Sequence, residues 1–115
     1  MVDVATSPAS EVEPDTFAHG STVVGAFQVG RFFSGGSTSI GFARSGDGGA
    51  TWGTPGFLGL TFSAGAAVPY ERVSDPSVAF DAKHGTWLIS SIPLLPNLVV
   101  PTVLVSRSVD DGQTW

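Results

Sequence analysis

The stretch Ser45-Gly-Asp-Gly-Gly-Ala-Thr-Trp52 returns as Ser108-Val-Asp-Asp-Gly-Gln-Thr-Trp115, with Ser, Asp, Gly, Thr and Trp in the same places. Asp47 and Asp110 stand 63 residues apart (110 − 47), and an arginine precedes each block, Arg44 and Arg107. Further upstream Glu13-Pro14 matches Asp75-Pro76 at an offset of 62 (75 − 13), and His19-Gly20-Ser21 matches His84-Gly85-Thr86 at an offset of 65 (84 − 19). Three anchors in one order define an internal repeat, and a repeat outranks any local reading of the chain. The drifting offset places extra residues in the turn at Asp81 to Lys83 and a deletion before Thr102. Loops absorb such changes at little cost.

Between the anchors lie short β-branched and aromatic runs: Thr22 to Phe27, Thr38 to Phe42, Pro76 to Phe80, Thr86 to Ile89 and Thr102 to Val105. Several alternate with period two, which predicts antiparallel strands, four to a copy. In the first copy strand A lies near Pro14 to Ala18, B near Thr22 to Gln28, C near Thr38 to Ser45 and D from about Trp52. A four-stranded unit of this size repeated along a chain matches the blade of a β-propeller, whose rings hold about 4–8 blades. The expectation is therefore an all-β fragment of about two blades. Residues 1–12 read as an N-terminal linker, 13–69 as the first blade and 70–115 as a second blade truncated after its block. A self-contained sandwich of two related half-sheets is the alternative.

Within each block the residue types have separate tasks. Asp47 or Asp110 can accept hydrogen bonds from amides ahead of it, as Asp does in turns. Gly49 and Gly112 stand where the loop needs positive φ. The hydroxyls of Ser45, Thr51, Ser108 and Thr114 can close further backbone bonds, and Trp52 and Trp115 open the next strand with a large apolar surface. The run lacks the carboxylate spacing of a calcium loop.

Composition narrows the partners. Fifteen Gly and eight Pro with 13% charged residues suit many turns between short apolar strands, and helix is the minority expectation. Ten acidic against five basic side chains, net −5, give no electrostatic footprint for nucleic acid or anionic lipid. The absence of cysteine removes disulfides and thiolate metal sites. His19 and His84 lack a third nearby ligand, so neither a metal nor a cofactor is expected. No signal-peptide pattern opens the chain, and the apolar runs Phe57 to Val68 and Leu94 to Val105 are too short to span a bilayer.

The two blocks resemble the Asp boxes, or bacterial neuraminidase repeats, of the sialidase superfamily. The wider frame is similar to bacterial sialidase-like proteins of the exo-alpha-sialidase type in three stretches: Ser10 to Pro14, Tyr70 to Val78 and Val103 to Gly112. The resemblance covers nearly the whole chain from Glu11 and identifies the architecture far more sharply than the activity. It implies an extracellular or periplasmic parent acting as a glycoside hydrolase on sialylated or other acidic glycans. Alternatively, the parent is a non-catalytic Asp-box propeller that serves as a glycan- or protein-binding scaffold. Partners would be glycan and the remaining blades, and these residues alone would be inactive and prone to self-association.

In that family substrate lies on the face away from the Asp boxes, lined here by the B–C loop Gly30 to Gly36 and the D–A connection ending Pro69 to Asp75. Candidate site residues are thus Arg31, Tyr70, Glu71, Arg72 and Asp75. A sialidase uses an arginine cluster for the substrate carboxylate, a carboxyl acid/base and a tyrosine nucleophile assisted by glutamate. The rim holds those residue types without the Arg-Ile-Pro signature, and adjacent Tyr70 and Glu71 would point to opposite faces of an extended segment. Ion pairs and N–H contacts between blades are the plainer role for Glu71, Arg72 and Asp75. Arg31, between Gly-rich turns and two phenylalanines, is the better binding residue or else stacks on an aromatic ring. Leu94 to Pro101 offers an apolar lip.

Overall fold

The expected strands form, most of them longer than the sequence pattern marks. In a computed structural model, which describes residues 7–115, they are β1 (Ser7–His19), β2 (Thr22–Arg31), β3 (Ser37–Ser45), β4 (Gly56–Leu58), β5 (Arg72–Asp81), β6 (Thr86–Leu94) and β7 (Leu104–Ser108). The one helical element among them is a single 3₁₀ turn, Phe62–Ala64, in the β4–β5 connection. All strand pairs are antiparallel, in the order β1-β2-β3-β5-β6-β7 with β4 on β3. The chain is therefore all-β, and the sheet does not close on itself among the described residues.

Two units make up this sheet. β3 and β5 share the single pair Ser37↔Val73, whereas β1 to β4 and β5 to β7 are each continuous meanders. The meanders lie face to face, joined by one core of Val24, Ala26, Ile40 and Leu58 from the first and Val73, Val78, Trp87 and Ile89 from the second. Period-two patterning selects those residues. Along β6 Trp87, Ile89, Ser91 and Pro93 are buried while their neighbours are partly exposed.

The turn insertion inferred from the offsets is present. β1 and β2 close between His19 and Thr22, but β5 and β6 close between Asp81 and Thr86, two residues wider. Asp81 braces that wider turn by accepting from the Lys83 amide at 3.0 Å and contacting the His84 ring at 2.5 Å. His19 stacks on Phe80 across the unit boundary, with ring centroids 4.1 Å apart.

The two eight-residue blocks adopt one loop design. Ser45 Oγ donates to Asp47 Oδ1 (2.7 Å) and accepts from Gly49 N (2.8 Å), while Asp47 accepts from Thr51 N (2.8 Å) and Thr51 Oγ1 (2.6 Å). Ser108, Asp110, Gly112 and Thr114 repeat every one of these bonds. Gly49 and Gly112 have φ of 92° and 81°, the left-handed backbone the sequence required of them. Gly48 N donates to Ser21 O at 2.8 Å, which sets the β1–β2 turn beside the first loop at the same end of the sheet.

Several details differ from the sequence expectation. Strand β1 begins at Ser7, inside the stretch read as linker; residues 1–6 of that stretch lie outside the described residues. The returning strand β4 does not start at Trp52: it is only Gly56–Leu58, since Gly53 still hydrogen-bonds back to Arg44 O within the loop. Arg31 closes β2 instead of standing in the B–C loop, which is shortened to residues 32–36. The two tryptophans also part company. Trp115 is partly buried against Phe42 of the first unit, centroids 5.7 Å apart, whereas Trp52 remains 48% exposed. Trp52 lies over the outer side of β2 near Gly25, where the described chain stacks nothing further.

The loops carry a pH signature. Hydrogen bonds from the Thr51 side chain and amide, then from Ser45, pull the Asp47 carboxyl down to about 2, and Thr114 and Ser108 lower Asp110 in the same way. A carboxyl lowered in the folded state favours folding above its ordinary value near 3.8, and that contribution is lost as pH falls toward the folded value. The melting temperature should hold between pH 7 and 5 and drop between pH 4 and 2. A double variant Asp47→Asn, Asp110→Asn should flatten that limb. An unchanged acid limb in a circular-dichroism melt series would assign acid unfolding to other groups.

Candidate functional site

At the end of the sheet opposite these loops, strands from both units deliver carboxylates to one place. β1 and β5 each carry a bulge at the repeated acid-proline dipeptide, seen as register breaks between Val12 and Asp15 and between Ser74 and Ser77. Glu13 and Asp75 occupy those bulges at φ of 52° and 49°. Left-handed backbone is costly for a residue with a Cβ, and a following proline disfavours helical conformations further. Such strain persists where the surroundings over-determine it, and it concentrates at working sites.

The bulges bring Glu13 and Asp75 into one cluster, linked through Gln28 and Ser74. Gln28, fully buried on β2, donates from Nε2 to Glu13 and, at 3.2 Å, to Ser74 Oγ. Ser74 Oγ in turn donates to Asp75 Oδ1 at 2.9 Å. Arg31 Nη1 stands 3.6 Å from Glu13 Oε1, a half-exposed ion pair that solvent screens. Desolvation, then the neighbouring Asp75 carboxyl, push Glu13 above the ordinary carboxylate value, with Arg31 and Gln28 pulling the other way.

The sequence candidates divide into two groups here. Arg31 and Asp75 belong to this cluster. Arg72 and Glu71 pair with each other at 3.5 Å, and Arg72 also donates to Ser34 Oγ (2.7 Å) and Gly35 O (3.0 Å) across the unit boundary. Aromatic stacking falls to Arg72, whose guanidinium lies 4.1 Å from the Phe32 ring centroid; Arg31 instead takes the Glu13 pair. Tyr70 contributes its carbonyl, which accepts from Phe62 N at 3.0 Å. Asp15 makes the N–H contact between units that was expected of Asp75, accepting from Val78 N at 2.7 Å and Ser77 Oγ at 3.0 Å.

Glu13 and Gln28 were missed as site residues. The signal for Glu13 was available, because the repeat aligns Glu13-Pro14 with Asp75-Pro76. Gln28 left only the weaker sign of a long polar side chain at the end of an apolar strand. Chemically the cluster can accept hydrogen bonds, hold a shared proton or bind a cation. No family model matches this chain, and no curated protein matches it as a relative.

Strain at the bulges is testable by itself. Glu13→Gly and Glu13→Ala remove the same carboxylate but differ in tolerance of φ near +50°. The glycine variant should be the more stable by about 1 kcal/mol in urea unfolding. Equal stabilities would mean that the bulge relaxes at no cost.

Proposed function

We propose that the chain contributes about two blades to a sialidase-type β-propeller, and that the Glu13, Gln28, Arg31, Ser74 and Asp75 rim is its glycan-facing surface. The observation that carries this reading is the polarity of the stack. Both Ser-Asp-Thr loops tie down one end through internal hydrogen bonds, while both bulged carboxylates gather at the other. The parent, in this reading, is a glycoside hydrolase acting on sialylated or other acidic glycans, with Arg31 as a substrate-carboxylate ligand and the nucleophile supplied by further blades. A longer protein carrying these blades should hydrolyse a fluorogenic sialoside, and Arg31→Ala should raise KM by about tenfold or more with a smaller change in kcat.

A second reading has its own observation. Arg72 and Glu71 are committed to the latch between units, and Arg31 is paired with Glu13, so no arginine of the rim faces outward without a partner among the described residues. That favours a non-catalytic scaffold binding glycan or protein. It predicts saturable glycan binding without turnover, and sialoside hydrolysis would dismiss it.

A further inference from the structure

We propose that the chain docks head to tail on a second copy of itself: the outer face of β5 to β7 on one copy binds the outer face of β1 to β4 on the next, repeating between copies the contact that joins the two units within the chain. Ser45 lies opposite Val23 and Ser108 opposite Trp87, which aligns the units residue for residue. The first unit meets the second through Val24, Ala26 and Ile40, with Phe42 against Trp115 and Arg44 on Asp111. In the same register the second unit has Leu88 for Val24, Ser90 for Ala26, Val105 for Phe42 and Arg107 for Arg44. These side chains alternate with buried Trp87 and Ile89 and so point away from the first unit. Val105 is left 61% exposed.

The opposite end carries the matching half. The second unit meets the first through Trp87, Ile89 and Trp115. Their counterparts Val23, Gly25 and Trp52 lie on the outer side of the first unit, next to exposed Phe57, which pairs with Gly41 there. The chain thus presents at its two ends both halves of a contact that it already makes in its middle, and Trp52 of one copy would meet Val105 of the next as Trp115 meets Phe42. Because the two faces differ, each copy keeps one face for a further copy. The inference rests on the stacking of the two units and on neither a glycan nor turnover.

Polar detail sets the strength of the contact. Within the chain Asp111 accepts from Arg44 and Thr22. The second unit has Arg107 and Thr86 at those places, and Arg107 is exposed with no ion pair among the described residues. The residue of the first unit that answers to Asp111 is Gly48, which offers no carboxylate, and Ser10 stands at the repeat position of Arg72. The contact between copies is therefore mainly apolar, weaker than the one within the chain and dependent on concentration, with the net charge of −5 on each copy opposing it.

Sedimentation equilibrium of the whole chain should give a mass that rises with concentration from 11.8 kDa to at least twice that. Trp52→Lys and Val105→Lys each block one face while making the net charge less negative, so added repulsion cannot explain a loss. Each should weaken association by about tenfold or more. Mixed in equal amounts, the two variants should form dimers and stop there, through the one intact face that each retains. Gly48→Asp has room, with nothing within 4 Å of its added Cβ and a φ of 71° against 62° at Asp111. It should give Arg107 and Thr86 of the neighbouring copy their carboxylate and tighten association by about two- to fivefold at low ionic strength, a gain that salt removes. Should Trp52→Lys lose its β-sheet circular-dichroism spectrum, Val105→Lys and Gly48→Asp decide. A monomer at every concentration, association that both lysine variants retain, or a mixture of the two that stays monomeric would overturn the proposal.

Discussion

Trp87→Ala should abolish cooperative folding, or leave a chain that melts tens of degrees below the unsubstituted protein. Trp87 is completely buried and is the largest side chain in the shared core. Its ring meets Phe80 of its own unit at 4.8 Å and Phe17 of the other at 6.2 Å in edge-to-face geometry. Truncating a buried Trp to Ala costs about 3–5 kcal/mol. A chain of this length has roughly 6–17 kcal/mol in all, at about 0.05–0.15 kcal/mol per residue, and an open stack of two meanders belongs near the bottom of that range. Trp87→Phe is the control. It keeps most of the packing and loses the indole N–H bond to Asp111 Oδ1, so it should cost about 1–2 kcal/mol. If Trp87→Ala unfolded in urea within about 1 kcal/mol of the parent, the two units would not depend on a shared core.

The contrast between Trp87 and the site residues marks what the chain discloses as sequence. Strand positions, the wider β5–β6 turn and the Ser-Asp-Gly-Thr loop were legible because each depends on local chemistry: period-two burial, the conformational range of glycine, and side chains bonding backbone four residues away. The deletion expected before Thr102 is not there: that loop spans residues 95–103, against 32–36 in the first unit. Trp87 was legible only as a strand residue. Its place between units depends on which face of β6 turns toward the first unit, where Trp87 meets Phe17, and strand alternation alone does not choose between the two faces. The same limit explains the exchanged roles of Arg31 and Arg72. Both lie on the rim, but which guanidinium meets Phe32 and which meets Glu13 is decided by a bulge at Glu13 and a five-residue loop, with separations of a few ångströms. Glu13 itself was hidden by its exposure and by the proline after it, which read as a strand boundary. Only its alignment with Asp75 pointed to it, and that alignment served to define the period.

Asp111 is the residue at which the repeat departs from itself with most consequence. It stands where the first block has Gly48 and keeps the glycine-like backbone, φ 62° against 71°. Its carboxylate accepts from Thr22 Oγ1 at 2.8 Å, from Trp87 Nε1 at 3.2 Å and from Arg44, whose Nε also donates to the Asp111 carbonyl at 2.5 Å. Desolvation alone would raise this carboxyl, but the bonds from Arg44, Thr22 and Trp87 hold it below its ordinary value. One side chain thus fastens the second loop to the first unit. Asp111→Gly would relieve the backbone by about 1 kcal/mol. It would also remove every side-chain bond and strand the buried Trp87 N–H, a loss of about 1–3 kcal/mol for that donor before the others count. Asp111→Ala keeps the strain and loses the bonds, so it should be the least stable. Asp111→Asn keeps the shape and loses the charge; because Asp111 is 49% exposed, solvent screens the Arg44 pair and the cost should stay near 1 kcal/mol. The expected order of stability is therefore Asp, Asn, Gly, Ala. Urea unfolding followed by tryptophan fluorescence and by far-ultraviolet circular dichroism should coincide for the parent and separate for Asp111→Ala as the units uncouple. Coincident curves for that variant, with glycine as stable as aspartate, would mean that the aspartate serves only as a glycine substitute in its loop.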